Sequence, residues 1–175
     1  MAETDKNAFD RAAEWIWSLG GLGFIPIYHS FWGAAVGLPL YALFFMLGWK
    51  AYLVAYLAIL GLAWLVSARS LVFYGSPKQD QRVIIDKTFG YLTAMFLAPQ
   101  YTFLKLPFLW GFFIFLALDM LKPWYIGKIH EKDGSVFVML DDFLAGLTAC
   151  FLMWLVAVVH YLFIEPSILP AIFVH

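Results

Sequence analysis

Three short stretches of the chain set carboxylates beside long apolar runs: Arg82-Val-Ile-Ile-Asp86-Lys87-Thr-Phe-Gly90, Leu118-Asp119-Met-Leu-Lys122-Pro123-Trp124 and Met139-Leu-Asp141-Asp142-Phe-Leu-Ala-Gly146. Carboxylates gathered at a membrane surface repel one another and lose hydration, so such a set is stable mainly where cations neutralise it. Oxygen ligands without His or Cys partners suit Mg²⁺, which keeps several waters and takes one or two carboxylates together with a substrate phosphate. Asp86, Asp119, Asp141 and Asp142 are therefore the candidate metal ligands and catalytic residues. Phosphoryl transfer depends chiefly on neutralising equatorial oxygens and aligning the attacking group, which makes Arg82, Lys87 and Lys122 candidate clamps on a phosphate.

Each carboxylate also has a purely structural reading. Asp142 could cap a helix starting at Phe143, with Asp141 favoured by the helix dipole. Asp119 and Lys122 are three apart and could form an ion pair on one helical face. Asp86 could be a loop or cap residue. It is the joint occurrence of all four on one predicted side of the protein that favours a site. His130, in the loop between the second and third stretches, is either a proton donor to a leaving alkoxide or a solvated loop histidine. The glycines Gly20, Gly21 and Gly23 could bring backbone N–H groups to a phosphate, although such clusters more often permit close helix packing in membranes.

The elements that must position these groups are membrane helices. Of 175 residues, 63% are hydrophobic, 20% aromatic and only 13% charged. About a quarter charged is usual in soluble proteins, so much of this surface faces something other than water. A formal net charge of −1 makes a nucleic-acid partner unlikely. The single cysteine, Cys150, excludes a disulfide framework and reads as a small buried apolar residue. The acidic start, with Glu3, Asp5 and Asp10, is not that of a cleavable signal peptide.

Four uncharged runs, Phe31 to Trp49, Ala51 to Ala68, Thr88 to Leu104 and Phe143 to Ile164, approach or reach the roughly 20 residues that span a bilayer. A fifth, Leu106 to Leu118, becomes a short span if it continues to Leu121, with Asp119 near its end and Lys122-Pro123 as its stop. Trp15 to Tyr28, interrupted by Gly20, Gly21, Gly23 and Pro26, reads as a re-entrant or interfacial piece. The expected fold is thus an all-α integral membrane protein, a compact bundle of about five short transmembrane helices plus that N-terminal segment. Residues 1–14 form an N-terminal segment, 15–164 the membrane domain and 165–175 a tail. With the N-terminus inside, Lys6, Arg11, Arg69, Lys78, Arg82, Lys87, Lys122, Lys128 and Lys132 fall on the cytoplasmic side, and only Lys50 and Lys105 outside. The same orientation makes all three acidic stretches cytoplasmic. Ionisable groups at span ends rather than mid-span argue against an ion or solute transporter.

Asp86 with Gly90, then Asp119-x-x-Lys122-Pro123-Trp124, then Leu140-Asp141-Asp142-x-x-Ala145-Gly146 resembles the phosphatidylglycerophosphatase A family of small bacterial membrane enzymes. Gly21, Gly23 and Pro26 resemble that family's glycine-rich segment. The resemblance implies Mg²⁺-dependent removal of the terminal phosphate of phosphatidylglycerophosphate, yielding phosphatidylglycerol in phospholipid biosynthesis. It further implies an anionic phospholipid as substrate, a place in the bacterial inner membrane, and the four aspartates as the site. The chain departs from the family pattern where Lys87 stands for a usual Glu, where His29-Ser30-Phe31 stands for Pro-Gly-Thr, where Leu116 stands for a frequent Arg, and where Gly134-Ser135 shortens a glycine-rich approach. The alternative is a diverged, non-catalytic membrane protein that binds anionic lipid or a partner.

Overall fold

The computed structural model describes residues 7–74, 82–96, 98, 107–130 and 135–163, all of it helices and their connections. The helices are α1 (Ala8–Trp17), α2 (His29–Met46), α3 (Trp49–Tyr74), α4 (Ile85–Phe96), α5 (Pro107–Leu121), α6 (Trp124–His130) and α7 (Ser135–Phe163). Lys78, Lys105, Lys132, most of the first acidic residues and the whole 165–175 tail lie outside the described residues.

Helix α1 starts on a capping box, in which the Asp10 N–H donates to the Asn7 side chain at 2.9 Å and the Asn7 N–H to the Asp10 carboxylate at 3.3 Å. After α1 the glycine segment folds into turns and a short 3₁₀ helix. It is tied to the start of α4 by the Ile84 N–H donating to the Trp17 carbonyl. Between α2 and α3 the chain reverses at Gly48, whose φ of +88° is the left-handed conformation that ends a helix without a Cβ penalty.

Among the described residues, three helices are long and apolar enough to cross a membrane: α2, α3 over Trp49–Ala68, and α7 over Met139–His160. Their outward faces carry Leu43, Phe45, Val54, Leu57, Leu65, Phe151, Leu155 and Val159, all exposed, as a surface turned to hydrocarbon requires. Helix α5 is apolar but shorter. Three of the five predicted spans thus have helices of spanning length, and α7 begins two turns before Phe143.

The run predicted from Thr88 to Leu104 behaves differently. Its described helix, α4, has 12 residues, about 18 Å of rise against a hydrocarbon core of about 30 Å. Apart from Lys87 and Phe96 all of α4 is buried, packed against α7, α2, α5 and α3. Its apolarity serves the protein interior. Most of the remainder of that run lies outside the described residues.

Close crossings hold α4 in place. A Cβ on Gly90 would come within 2.8 Å of the Asp142 carbonyl oxygen and 2.6 Å of the Phe115 ring, and one on Gly146 would collide with the Gly90 carbonyl. A Cβ on Gly33 of α2 would stand 2.5 Å from the Lys87 Cβ. Hydroxyls join the same helices: Thr88 donates to the Gly33 carbonyl at 2.6 Å, Tyr52 to the Leu92 carbonyl at 2.9 Å, and Tyr56 pairs with Thr93 at 2.9 Å. In a low-dielectric interior these bonds fix rotation and depth more firmly than apolar contact alone.

Candidate functional site

The helix ends that meet beside these crossings carry the acidic stretches. Asp86 lies in the first turn of α4. Asp119 lies in the last turn of α5, and Lys122 just beyond it. Asp141 and Asp142 lie near the start of the apolar stretch of α7. All four carboxylates are buried, Asp142 completely. Four aspartates from three elements therefore gather at one end of the bundle, as expected from the sequence.

Two lysines hold them. Lys87 Nζ donates to Asp142 Oδ2 at 2.8 Å and to Asp86 Oδ2 at 3.3 Å, bridging α4 and α7. Lys122 Nζ donates to Asp141 Oδ2 at 2.9 Å. The lysine side chains keep a little exposure, 16% for Lys87 and 26% for Lys122, against 2% or less for their partners. Burial alone would favour the neutral amine of Lys87. The carboxylates of Asp142, Asp86, Asp119 and Asp141 outweigh it and hold Lys87 well above its ordinary value, so the ammonium persists. Burial pushes the Asp86 carboxyl up, and the Lys87 charge opposes that shift.

Backbone geometry explains the partner that Lys122 chooses. The α5 helix ends there with the Lys122 N–H donating to the Leu118 carbonyl at 2.9 Å, and Lys122 has φ +41°. A left-handed lysine followed by Pro123 leaves the helical path, and its ammonium reaches Asp141 of α7. The Asp119–Lys122 alternative is joined by a direct Lys122–Asp141 bond, with the Lys122 charge also acting on Asp119. Asp119 is also approached by the Asp142 and Ser30 side chains.

The structural alternative for Asp142 is also overturned. Helix α7 runs through Asp141 and Asp142 from Ser135, so neither caps a helix beginning at Phe143. Arg82 sits at the glycine segment, its guanidinium 5.8 Å from the centre of the Phe24 ring, while the two lysines provide the cations bonded to the aspartates. The glycine N–H groups are used within their own turns: Gly20 donates to the Trp15 carbonyl, Gly21 to the Ser18 hydroxyl and Gly23 to the Ser18 carbonyl. A Cβ on Gly23 would collide with the Arg82 carbonyl, so this glycine serves packing. His130 closes α6, and its side chain lies outside the described residues. Ser30, noted in the sequence only as part of the stretch that stands for Pro-Gly-Thr, is the site neighbour to which sequence reading gave no role.

The Mg²⁺ expected from the sequence can be weighed against this geometry. Among the described residues no three His, Cys, Asp or Glu side chains form a group that could hold a metal. One atom does fit a cation: Asp142 Oδ1 is buried with no hydrogen-bond partner. An ion here would therefore be held by one or two carboxylates and otherwise by water and phosphate, as magnesium can be, and not by a closed protein cage.

No curated protein and no solved structure matches the chain. A family comparison does, over residues 15–157, a stretch that contains Asp86, Lys87, Asp119, Lys122, Asp141 and Asp142. With that coverage, and with the cluster inside it, the chain belongs to the phosphatidylglycerophosphatase A family, a family of lipid phosphatases.

Proposed function

We propose that the protein is a Mg²⁺-dependent phosphatase that hydrolyses the terminal phosphomonoester of phosphatidylglycerophosphate, giving phosphatidylglycerol and inorganic phosphate in phospholipid biosynthesis. The observation that carries this reading is the buried cluster of four aspartates and two lysines at one end of a membrane bundle, inside the family match. When bound, Mg²⁺ held through Asp142 and its neighbours Asp86, Asp119 and Asp141 would supply positive charge to phosphate oxygens. Lys87 and Lys122, the partly exposed members of the cluster, bind the remaining oxygens by exchanging a carboxylate partner for phosphate. Burial of the aspartates excludes bulk water and strengthens each of these charge interactions.

A lipid substrate accounts for charged groups at the ends of apolar helices: the headgroup meets the cluster while the acyl chains stay in the bilayer. The nine-to-two distribution of basic residues supports a cytoplasmic location for the cluster, at the bacterial inner membrane. The Lys87 bridge between Asp86 and Asp142 favours one second reading, a relative in which the ammonium neutralises the cluster and the protein binds anionic lipid without turnover. Purified protein given phosphatidylglycerophosphate, phosphatidic acid and a soluble phosphomonoester, with Mg²⁺ or with chelator, separates the two. Metal-dependent phosphate release, fastest from phosphatidylglycerophosphate, is expected. No release from any of the three would leave the binding reading.

A further inference from the structure

Beside the polar cluster lies a cavity of about 390 Å³ between α3, α4 and α7. Gly61 and Trp64 of α3, Phe89 of α4, and Val136, Leu140 and Phe143 of α7 are among its walls, and every lining side chain is apolar. The α7 residues repeat at intervals of three and four and so form one stripe along the helix. Leu140 and Phe143 bracket Asp141 and Asp142 in the chain, and Phe89 is one turn from Asp86. Phe89 and Phe143, both lining the cavity, stack at 6.1 Å with their rings 15° apart. Both α3 and α7 are long enough to span a membrane, and Trp64 and Val136 are 47% and 56% exposed. The groove is open on the face that carries these two side chains.

Gly61, on the groove wall, is not one of the close-packing glycines. Glycines in membrane helices usually let backbones approach closely, as Gly33, Gly90 and Gly146 do here. A Cβ on Gly61 would meet nothing within 4 Å. Gly61 is itself exposed and lines the groove, so a side chain has room there.

We infer that the groove seats one fatty acyl chain of the phospholipid whose phosphate lies at the lysine–aspartate cluster. The inference rests on the phosphatase reading for the headgroup and names the apolar half of the same ligand. A cavity of this size suits a small ligand, whereas a docked helix from a second copy would need an interface of about 800 Å² per partner. A lining without hydrogen-bonding side chains selects for methylenes.

The test fills the groove at Gly61, where added atoms have room. In Gly61→Phe, and in the smaller Gly61→Leu, the ratio of kcat/KM for phosphatidylglycerophosphate with 18-carbon chains to that for a water-soluble glycerol phosphomonoester is expected to fall at least tenfold. Native mass spectrometry with 18-carbon phosphatidylglycerol, which carries no phosphomonoester, should find a retained lipid on the wild type and much less on either variant. An unchanged ratio in folded variants overturns the inference. So does equal lipid retention, or the loss of a dimer in the variants with lipid retention intact. If the wild type releases phosphate from nothing, the phosphatase reading fails, and lipid retention alone then decides the groove.

Discussion

At the scale of the residue, Lys87 sets how the site works, because one ammonium joins Asp86 of α4 to Asp142 of α7. If it clamps substrate, Lys87→Ala should remove a charge-assisted contact of about 1.5 to 3 kcal/mol and lower kcat/KM roughly tenfold or more. A folded Lys87→Ala variant with wild-type kcat and KM would rule out the clamp. If the lysine fills a lost ligand position, Lys87→Glu should instead increase Mg²⁺-dependent phosphate release. Asp119→Asn and Asp141→Asn keep size but lose charge. Each is expected to reduce turnover about a hundredfold, about 2.7 kcal/mol in transition-state stabilisation, with helical content intact by circular dichroism. Near wild-type turnover in both would remove these two from the site. The gathering of the four aspartates was legible in the sequence, since their types and apolar flanks mark them individually. Which lysine meets which aspartate was not legible. That depends on a left-handed residue after α5 and on the crossing of α4 with α7, and neither leaves a pattern in composition or periodicity.

Elements are where hydropathy succeeds and fails for an identifiable reason. It locates α2, α3 and most of α7 because their outer faces are apolar for lipid. It cannot tell them from α4, which is apolar because protein surrounds it. It also starts α7 too late, since the charges of Asp141 and Asp142 interrupt the apolar run while the Lys122 and Lys87 pairs let the helix continue through them. The glycine crossings give a test at this scale. Gly90→Ala would press a methyl group on the Asp142 carbonyl and the Phe115 ring, in a helix interior where alanine is otherwise the better residue by about 1 kcal/mol. Overpacking of about 1 to 3 kcal/mol should outweigh that gain, so a lower unfolding temperature in detergent is expected. A higher one would mean that α4 and α7 can separate at little cost. At Lys122, with φ +41°, Lys122→Gly relieves backbone strain and removes the bond to Asp141, whereas Lys122→Ala keeps the strain and removes the same bond. The glycine variant should therefore be the more stable of the two, while both lose phosphate release to a similar extent. Retained activity in Lys122→Gly would assign Lys122 a structural role only.

For the whole molecule, the helix ends that build the cluster make a topological statement. The starts of α2 and α4, the end of α5 and the early part of α7 carry Ser30, Asp86, Asp119 and the Asp141–Asp142 pair. Helices entering and leaving at one level put their polar ends on the same side of a membrane, so the cluster has one aqueous face. In the proposed orientation that face is the cytoplasmic one, with Arg82, Lys87, Lys122 and Lys128 on it and Lys50, at the start of α3, at the opposite end of α2. Cys150 is the single cysteine and is buried, so replacing it by Ala clears the background for thiol labelling. In intact cells, an impermeant reagent should label a cysteine at Lys50 or Lys105 and spare one at Gln79 or Ser135 until the membrane is opened. Labelling of the second pair alone would invert the protein. The cluster would then face away from the cytoplasm, and a substrate made on the inner leaflet would have to cross the bilayer before it could be hydrolysed.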